Sequence, residues 1–261
     1  MPDSNILQIA DNYWNIRGSF KIGGIIDIGT HVSLVKMKNN KFVFLDSYSL
    51  TTSDKAEVDE LTNQGEDVYA ILNLHPFHTV HVSNMHAMFP KAKLYGTERH
   101  VSKNPELSWQ PLNTQDPELH ALFADDFEFS VPNGVDFISE NENIHFSSVL
   151  ALHRESKTMH VDDTYMYLQP PLFKNWIELP AALRFHPTLG RALEKRAGAA
   201  QEFREWAQTL AEDWCDVENL CAAHTAPLTK NRNKGQSINA RMVAALNNVK
   251  RVLAAHEKRF G

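Results

Sequence analysis

The segment LNLHPFHTVHVSNMH, residues 72–86, contains four of the thirteen histidines of this 261-residue chain. They are His75, His78, His81 and His86. Neutral imidazole is a good ligand for zinc and similar divalent ions. A single histidine would be interpreted as a solvated or capping side chain, but three within seven residues, directly after a short apolar run, favour a metal-binding segment. His86 lies further along and is the weakest member of the set.

Ligand-type side chains also occur at the ends of three other predicted strands. His145 precedes the predicted strand FSSVLAL. Asp162 and Asp163 follow KTMHV, and His224 follows NLCAA. Loops at the edge of a rigid sheet converge on active sites, so these positions can meet the histidine segment in space. Taken singly, each has an ordinary interpretation as a turn, a cap or a hydrogen-bonded loop residue.

The elements that must position these side chains are a strand and a helix on either side of His75. The apolar run AILNL predicts a buried strand that ends just before His75. Pro76 suits the first position of a helix. In a helix that begins there, His78 and His81 lie on roughly the same side. This helix is predicted to stop at Pro90.

Strands and helices alternate through the middle of the chain. A β-hairpin is predicted around Asn39-Asn40, and a helix over TTSDKAEVDELTNQ. Short strands are predicted at AKLYG, FEFSV, VDFIS and HFSSVLALH, whereas residues 100–120 predict a loop. Helical spacing of large apolar residues follows over about 189–215.

The ends of the chain complete the predicted organisation. Residues 1–19 are interpreted as an N-terminal leader, and a closing amphipathic helix is predicted over about residues 237–259. Alternating strands and helices with no internal repeat predict an α/β fold. We expect one domain, residues 1–261.

Composition and charge restrict the class of protein. The chain is 43% hydrophobic and 22% charged, as in ordinary globular proteins. Its net charge of −6 argues against a nucleic-acid-binding surface, for which a basic patch is expected. No stretch approaches the ~18 uninterrupted apolar residues of a membrane helix. Two cysteines without a CxxC pair fit a reducing compartment. We expect a cytoplasmic protein that acts on a small-molecule substrate, with neither nucleic acid nor membrane as partner.

The order of the candidate ligands resembles that of the metallo-β-lactamase superfamily over roughly residues 20–225. In that family the first strands lead to an aspartate, which FVFLDS with Asp46 resembles. The segment MFPKAKLYGTE is similar to one that follows the family's HxHxDH motif and helix. His145, Asp163 and His224 occupy the places of the later family ligands. The resemblance implies an α/β fold of the four-layered αββα sandwich type, with a metal pocket at one edge of its two sheets.

The histidine segment departs from the family's HxHxDH pattern. When the motif is counted from His75, the next His, Asp and His positions hold Phe77, Thr79 and Val80. A shift of one residue matches His78 to the second histidine of the motif. In either register the carboxylate that helps to position water in the family's hydrolases is absent.

The shifted register has its own departures. It matches His81 to the third histidine, but it places Pro76 at the first histidine and Val80 at the aspartate. Asp162 also stands where the family often has glycine. The resemblance therefore supports the fold and a metal pocket more strongly than it supports hydrolysis.

The resemblance also implies roles for individual residues. The metal ligands it implies are His75, His78, His81, His145, Asp163 and His224. In that scheme His75, His78 and His145 hold one ion. Asp163 bridges to a second ion, which His81 and His224 help to hold, and is also the catalytic carboxylate that orients water. The implied cofactor is a divalent metal, zinc as one or two ions, with iron as the other option.

The implied activity is metal-dependent hydrolysis of a small ester, amide, thioester or phosphoester, since a bound metal lowers the pKa of water toward ~7. Two alternatives stay open. One is an iron-bearing redox enzyme, because histidine and carboxylate ligands suit iron as well as zinc. The other is a scaffold that has lost its metal and binds a ligand or partner protein, in which case His78 and His81 point away from His145 and His224.

Overall fold

The computed structural model describes residues 5–19, 21–22, 26–27, 29–168, 182–223, 226–233 and 235–261. The strands in this part of the chain are β1 (Ile6–Ala10), β2 (Tyr13–Gly18), β3 (Lys21–Ile22), β4 (Ile26–Asp27), β5 (Thr30–Lys36), β6 (Phe42–Leu45), β7 (Val68–Leu72), β8 (Lys93–Gly96), β9 (Trp109–Asn113), β10 (Phe127–Ser130), β11 (Leu150–His153), β12 (Thr158–Val161), β13 (Tyr165–Leu168), β14 (Ala182–Phe185) and β15 (Asn219–Ala222). The α-helices are α1 (Thr52–Leu61), α2 (Val82–Met88), α3 (Glu98–Lys103), α4 (Pro117–Leu122), α5 (Leu189–Ala192), α6 (Ala199–Asp213), α7 (Ile238–Asn248) and α8 (Lys250–Phe260).

Two sheets dominate the fold. The larger has the order β1-β2-β5-β6-β7-β8-β9, antiparallel from β1 to β6 and parallel from β6 to β9. The smaller has the order β10-β11-β12-β15, with β12 and β15 parallel. β13 pairs with β14, and β3 pairs with β4, as separate two-stranded ribbons.

The two sheets and the helices on either side of them form four layers, with a buried hydrophobic core between each pair of neighbouring layers. On one face of the larger sheet, Phe44 and Ile71 pack with Val58 of α1 and Met85 of α2. The alternate residues on the same strands form the core between the two sheets, because successive strand side chains point to opposite faces. The far face of the smaller sheet packs against α6 and α7. The predicted four-layered αββα sandwich is therefore confirmed.

Local sequence signals account for the first elements. Asn40, between β5 and β6, adopts φ 64°, a left-handed conformation that asparagine tolerates in tight turns. Thr51 caps α1: its hydroxyl accepts from the Asp54 backbone N–H at 3.1 Å, and the Asp54 carboxylate accepts from Thr51 N–H at 3.4 Å. The predicted hairpin and helix are confirmed here.

The predicted helix from Pro76 is wrong at its start, because α2 begins only at Val82. Residues 76–81 instead form a turn, in which His78 N–H bonds to the His75 carbonyl at 3.0 Å. The Phe77 amide donates to the His75 ring nitrogen Nδ1, also at 3.0 Å. A side chain that bonds its own backbone in this way competes with the helix.

Three further sequence predictions differ from the structure. The expected loop at 100–120 contains β9 and α4 as well as the end of α3, and Pro111 is tolerated because β9 is an edge strand. The predicted strand VDFIS is reduced to an isolated bridge at Val135. The closing helix is divided into α7 and α8 after Asn247-Asn248, where helix propensity is low. No helix among the described residues is long and apolar enough to cross a membrane.

His153, at the end of β11, makes folding sensitive to acid. Burial, followed by the charge of Lys38, lowers the pKa of His153 to about 4. In the unfolded chain a histidine titrates near ~6.5, so below that pH the unfolded state binds a proton first. The contribution of His153 to the free energy of unfolding is therefore fully present above pH ~6.5 and is lost as the pH falls toward 4. In urea unfolding across this pH range, the free energy of unfolding should fall less steeply for His153→Gln than for the wild type. Identical profiles for the two proteins would contradict the lowered pKa of His153.

Candidate metal site

Three ligand-type side chains meet where the ends of β7 and β12 face each other. His75 and His78 follow β7, and Asp163 follows β12. His75 Nε2 lies 3.3 Å from Asp163 Oδ2, and His78 Nε2 lies 3.9 Å from the same oxygen. One ligand atom from each of the three lies within 4.8 Å of the others. We call His75, His78 and Asp163 the trio.

The trio is buried on one side and open on the other. His75 and Asp163 are buried, whereas the His78 side chain is 26% exposed. Burial, followed by the charge of His78, lowers the pKa of His75, so this ring is neutral near pH 7. A neutral imidazole beside a carboxylate, with solvent on one side, is a donor set that accepts a divalent cation.

The proton of the neutral His75 ring is on Nε2, because Nδ1 accepts from the Phe77 amide. Nε2 is buried, and the Asp163 carboxylate oxygen Oδ2 lies 3.3 Å from it. For Nε2 to bind a metal, that proton would have to move to Nδ1, and Nδ1 would then lose the hydrogen bond from the Phe77 amide. The His75 and His78 rings stack, with centroids 4.1 Å apart and planes 17° apart. Because the two rings stack face to face, one of them would have to turn before both could bind the same ion.

The other predicted ligands take different positions. His81 is the N-cap residue just before α2, and its Nδ1 bonds Ser49 Oγ at 2.9 Å, outside the trio. His145 lies beside the trio, with its ring centroid 6.5 Å from that of His75, but its Nε2 contacts the Glu142 carbonyl. His224 lies outside the described residues.

Four fully buried side chains lie directly behind the trio. They are His31, Asp46, His160 and Asp162, which we call the quartet, and one ligand atom of each lies within 4.8 Å of the others. His31 belongs to β5 and His160 to β12, so the two sheets each contribute one ring. The rings stack with centroids 4.3 Å apart and planes 7° apart. Sequence reasoning did not assign ligand roles to these four residues.

Asn15 of β2 orients both rings of the quartet. Arg17 Nη1 lies 3.4 Å from Asn15 Oδ1, which directs the amide Nδ2 toward the quartet. Nδ2 donates to His31 Nδ1 at 3.0 Å and to Ser33 Oγ at 3.1 Å. The Ser33 hydroxyl is then free to donate to His160 Nδ1 at 2.9 Å. Because both Nδ1 atoms accept, we assign the ring protons to Nε2.

The two Nε2–H groups hold the two carboxylates. His31 donates to Asp162 Oδ1 at 3.3 Å, and His160 donates to Asp46 Oδ2 at 3.2 Å. The other Asp46 oxygen accepts from the Leu74 amide, next to His75, at 2.7 Å. Asp162 Oδ1 also lies 3.5 Å from Nδ1 of His78 in the trio. The quartet therefore contacts the trio through Asp162 and holds the Leu74 amide beside it through Asp46. Asp162 Oδ2 is buried without a hydrogen-bond partner among the described residues.

The two carboxyl groups of the quartet differ in protonation. Burial raises the pKa of Asp46, but hydrogen bonds from His160 and Asp162 outweigh it and hold the pKa well below its usual range. Burial, followed by the charge of Asp46, raises the pKa of Asp162 well above its usual range. Two carboxylates this close cannot both ionise without large repulsion. Asp46 is accordingly the anion and Asp162 carries a proton.

The fold was compared with known proteins. No protein-family profile matches the chain, and no curated protein is similar enough in sequence to match it. A metallo-β-lactamase from Pontibacter korlensis aligns with TM-score 0.56 and 12% identity, covering 93% of this chain and 98% of its own. The DIM-1 metallo-β-lactamase aligns with TM-score 0.61 and 11% identity, covering 95% and 99%. The mono-zinc form of FIM-1 from Pseudomonas aeruginosa aligns with TM-score 0.55 and 9% identity, covering 94% and 95%. At such low identity the likeness concerns the fold alone.

Proposed function

We propose that this chain, which has the metallo-β-lactamase fold, is a metal-dependent hydrolase of a small ester, amide, thioester or phosphoester. The ion is held by His75, His78 and Asp163, and zinc is the metal we expect. Catalytic zinc is bound by three protein ligands of these types, with water in the remaining position.

The observation that carries the proposal is the trio itself. Its three side chains come from two different sheets, and the sandwich places them at one edge. The buried Nε2 of His75 faces the Asp163 carboxylate, with 3.3 Å between Nε2 and Oδ2. A histidine nitrogen and a carboxylate oxygen that face each other at a partly open site are ligands that a divalent cation between them would use.

Each residue of the site has a separate role in the proposed reaction. A bound divalent metal lowers the pKa of water and polarises the substrate oxygen. Asp163 accepts a proton from water at its carboxylate and keeps that water oriented. His78, the exposed member of the trio, faces the solvent from which a small substrate enters. Asp162 and Asp46 hold the positions of His78 and of Leu74 beside His75.

Elemental analysis of protein purified without added metal tests the proposal. We expect zinc in near-stoichiometric amount, and zinc added to chelated protein should raise the melting temperature. At 100-fold excess over Kd the gain is about 2.7 kcal/mol, which shifts Tm by several degrees in a chain of this size. Magnesium at the same concentration is the control, because it prefers oxygen ligands.

Activity is then measured on p-nitrophenyl acetate, an acyl thioester, an anilide and a p-nitrophenyl phosphodiester, with and without chelator. Chelator-sensitive hydrolysis of one of them supports the proposal. Near-stoichiometric iron without hydrolysis would overturn it in favour of redox chemistry. Absence of metal together with an unchanged Tm would overturn any metal-based function.

A further inference from the structure

A cation lies next to the trio, in contact with the ring of Phe77. The guanidinium carbon of Arg99, on α3, lies 4.5 Å from the Phe77 ring centroid. Phe77 in turn stacks on His145, with centroids 4.5 Å apart, and lies 6.0 Å from the His75 ring centroid. A guanidinium packed on an aromatic face keeps its N–H groups in a fixed plane. Phe77 therefore contacts this cation and also lies beside the His75 ring of the trio.

The guanidinium of Arg99 is incompletely paired. Its side chain is 17% exposed, and its Nε is buried without a hydrogen-bond partner in the described part of the chain. Its Nη2 donates to one oxygen of Glu142 at 3.0 Å. Lys103, on the next turn of α3, places a second cation 3.7 Å from that same oxygen. Two cations thus face one carboxylate.

Glu142 is a partner that another anion can replace. Its side chain is 63% exposed and it belongs to the exposed loop segment 140–143. Water screens surface ion pairs of this kind, so exchange of Glu142 for another anion costs little. A carboxylate or phosphate brought by a substrate can bond the guanidinium through two parallel N–H groups, which is the stronger geometry.

We propose that Arg99 and Lys103 bind the acidic group of the substrate, so that the trio acts on small molecules carrying a carboxylate or phosphate several bonds from the scissile bond. The inference rests on the proposed hydrolase function. Because the chain carries a net charge of −6, the two adjacent cations Arg99 and Lys103 provide a local positive field that would attract an anion.

Two variants with opposite expected effects test the proposal. On mono-p-nitrophenyl succinate, Arg99→Gln should raise KM roughly 10- to 100-fold, as expected for loss of a charge-assisted hydrogen bond. Glu142→Gln should lower KM for the same ester, because it removes the competing carboxylate. Neither variant should change KM for neutral p-nitrophenyl acetate. Arg154→Gln, which removes the same kind of Arg–Glu pair elsewhere, is the matched control.

The alternative is that the Arg99–Glu142 pair only holds the loop that carries His145. In that case both variants would shift KM in the same direction for both esters, and that result would overturn the proposal. If the wild type hydrolyses neither ester, binding of succinate and of inorganic phosphate is measured by calorimetry. Binding that Arg99→Gln abolishes and Glu142→Gln strengthens supports the anion site independently of hydrolysis. Wild-type protein that binds neither anion contradicts it, and a difference between the two anions tells carboxylate from phosphate substrates.

Discussion

Asp163→Asn is expected to weaken metal binding by more than about 100-fold and to remove metal-dependent hydrolysis. Loss of an outer-shell partner already costs about 10–100-fold in metal affinity, and Asp163 would be a direct ligand. Its Oδ2 is the oxygen that both imidazoles of the trio face, at 3.3 Å and 3.9 Å. Asparagine preserves the shape of the side chain, so the fold should persist. Metal content, zinc titration and initial rates on the ester panel measure the effect.

The matched control for this prediction is His86→Gln. His86 belongs to the same histidine segment, but it lies in α2 and takes no part in the trio or the quartet. We expect this variant to retain the zinc content and rate of the wild type. Wild-type zinc affinity in Asp163→Asn, or equal losses in both variants, would show that the trio does not bind the ion.

Asp46→Asn is expected to destabilise the protein by roughly 2–4 kcal/mol, whereas Asp162→Asn leaves stability unchanged or raises it. Asp46 is ionised and accepts from Leu74 and His160, so asparagine removes the charge that strengthens both bonds. Asp162 already carries its proton, because its pKa is raised, and asparagine resembles this neutral acid.

The sign of each effect follows from linkage. Asp46 has a folded-state pKa below its usual range, so it stabilises the folded state near neutral pH and this contribution is lost on acidification. Asp162 has a raised pKa, so the unfolded state gains by ionising it near neutral pH, and asparagine removes that cost. Urea unfolding of chelator-treated protein at pH 7 measures both. Equal losses in the two variants would show that the protonation states are assigned wrongly.

The sequence predicted three residues of the candidate site, and the structure places the other predicted ligands elsewhere. His75, His78 and Asp163 were identified from their places at strand ends, and they meet in space. His81 and His145, chosen on the same grounds, bond Ser49 and the Glu142 carbonyl instead. For His81 the difference arises in the turn after β7, where the His75 ring accepts the Phe77 amide and the helix starts later. A competition between one side-chain bond and one helical turn is too small to see in residue periodicity.

By itself the sequence determined those helices, strands and turns that depend on interactions between neighbouring residues. The tight turn at Asn40, the capping box of Thr51 and Asp54, and the apolar run before His75 are each encoded within a few neighbouring residues. These signals predicted an α/β fold, and the resemblance to the metallo-β-lactamase superfamily added the four-layered sandwich.

Only the tertiary structure showed which residues form the quartet and how the quartet supports the trio. Asn15 and Ser33 face each other because β2 and β5 pair in that register, and His160 reaches them from the other sheet. A buried polar residue in a strand has no partner that can be named from its neighbours, since the partner depends on strand register and on how two sheets pack. For this reason the contacts from Asn15 to Asp162 and Asp46, separated by long stretches of chain, became visible only in three dimensions.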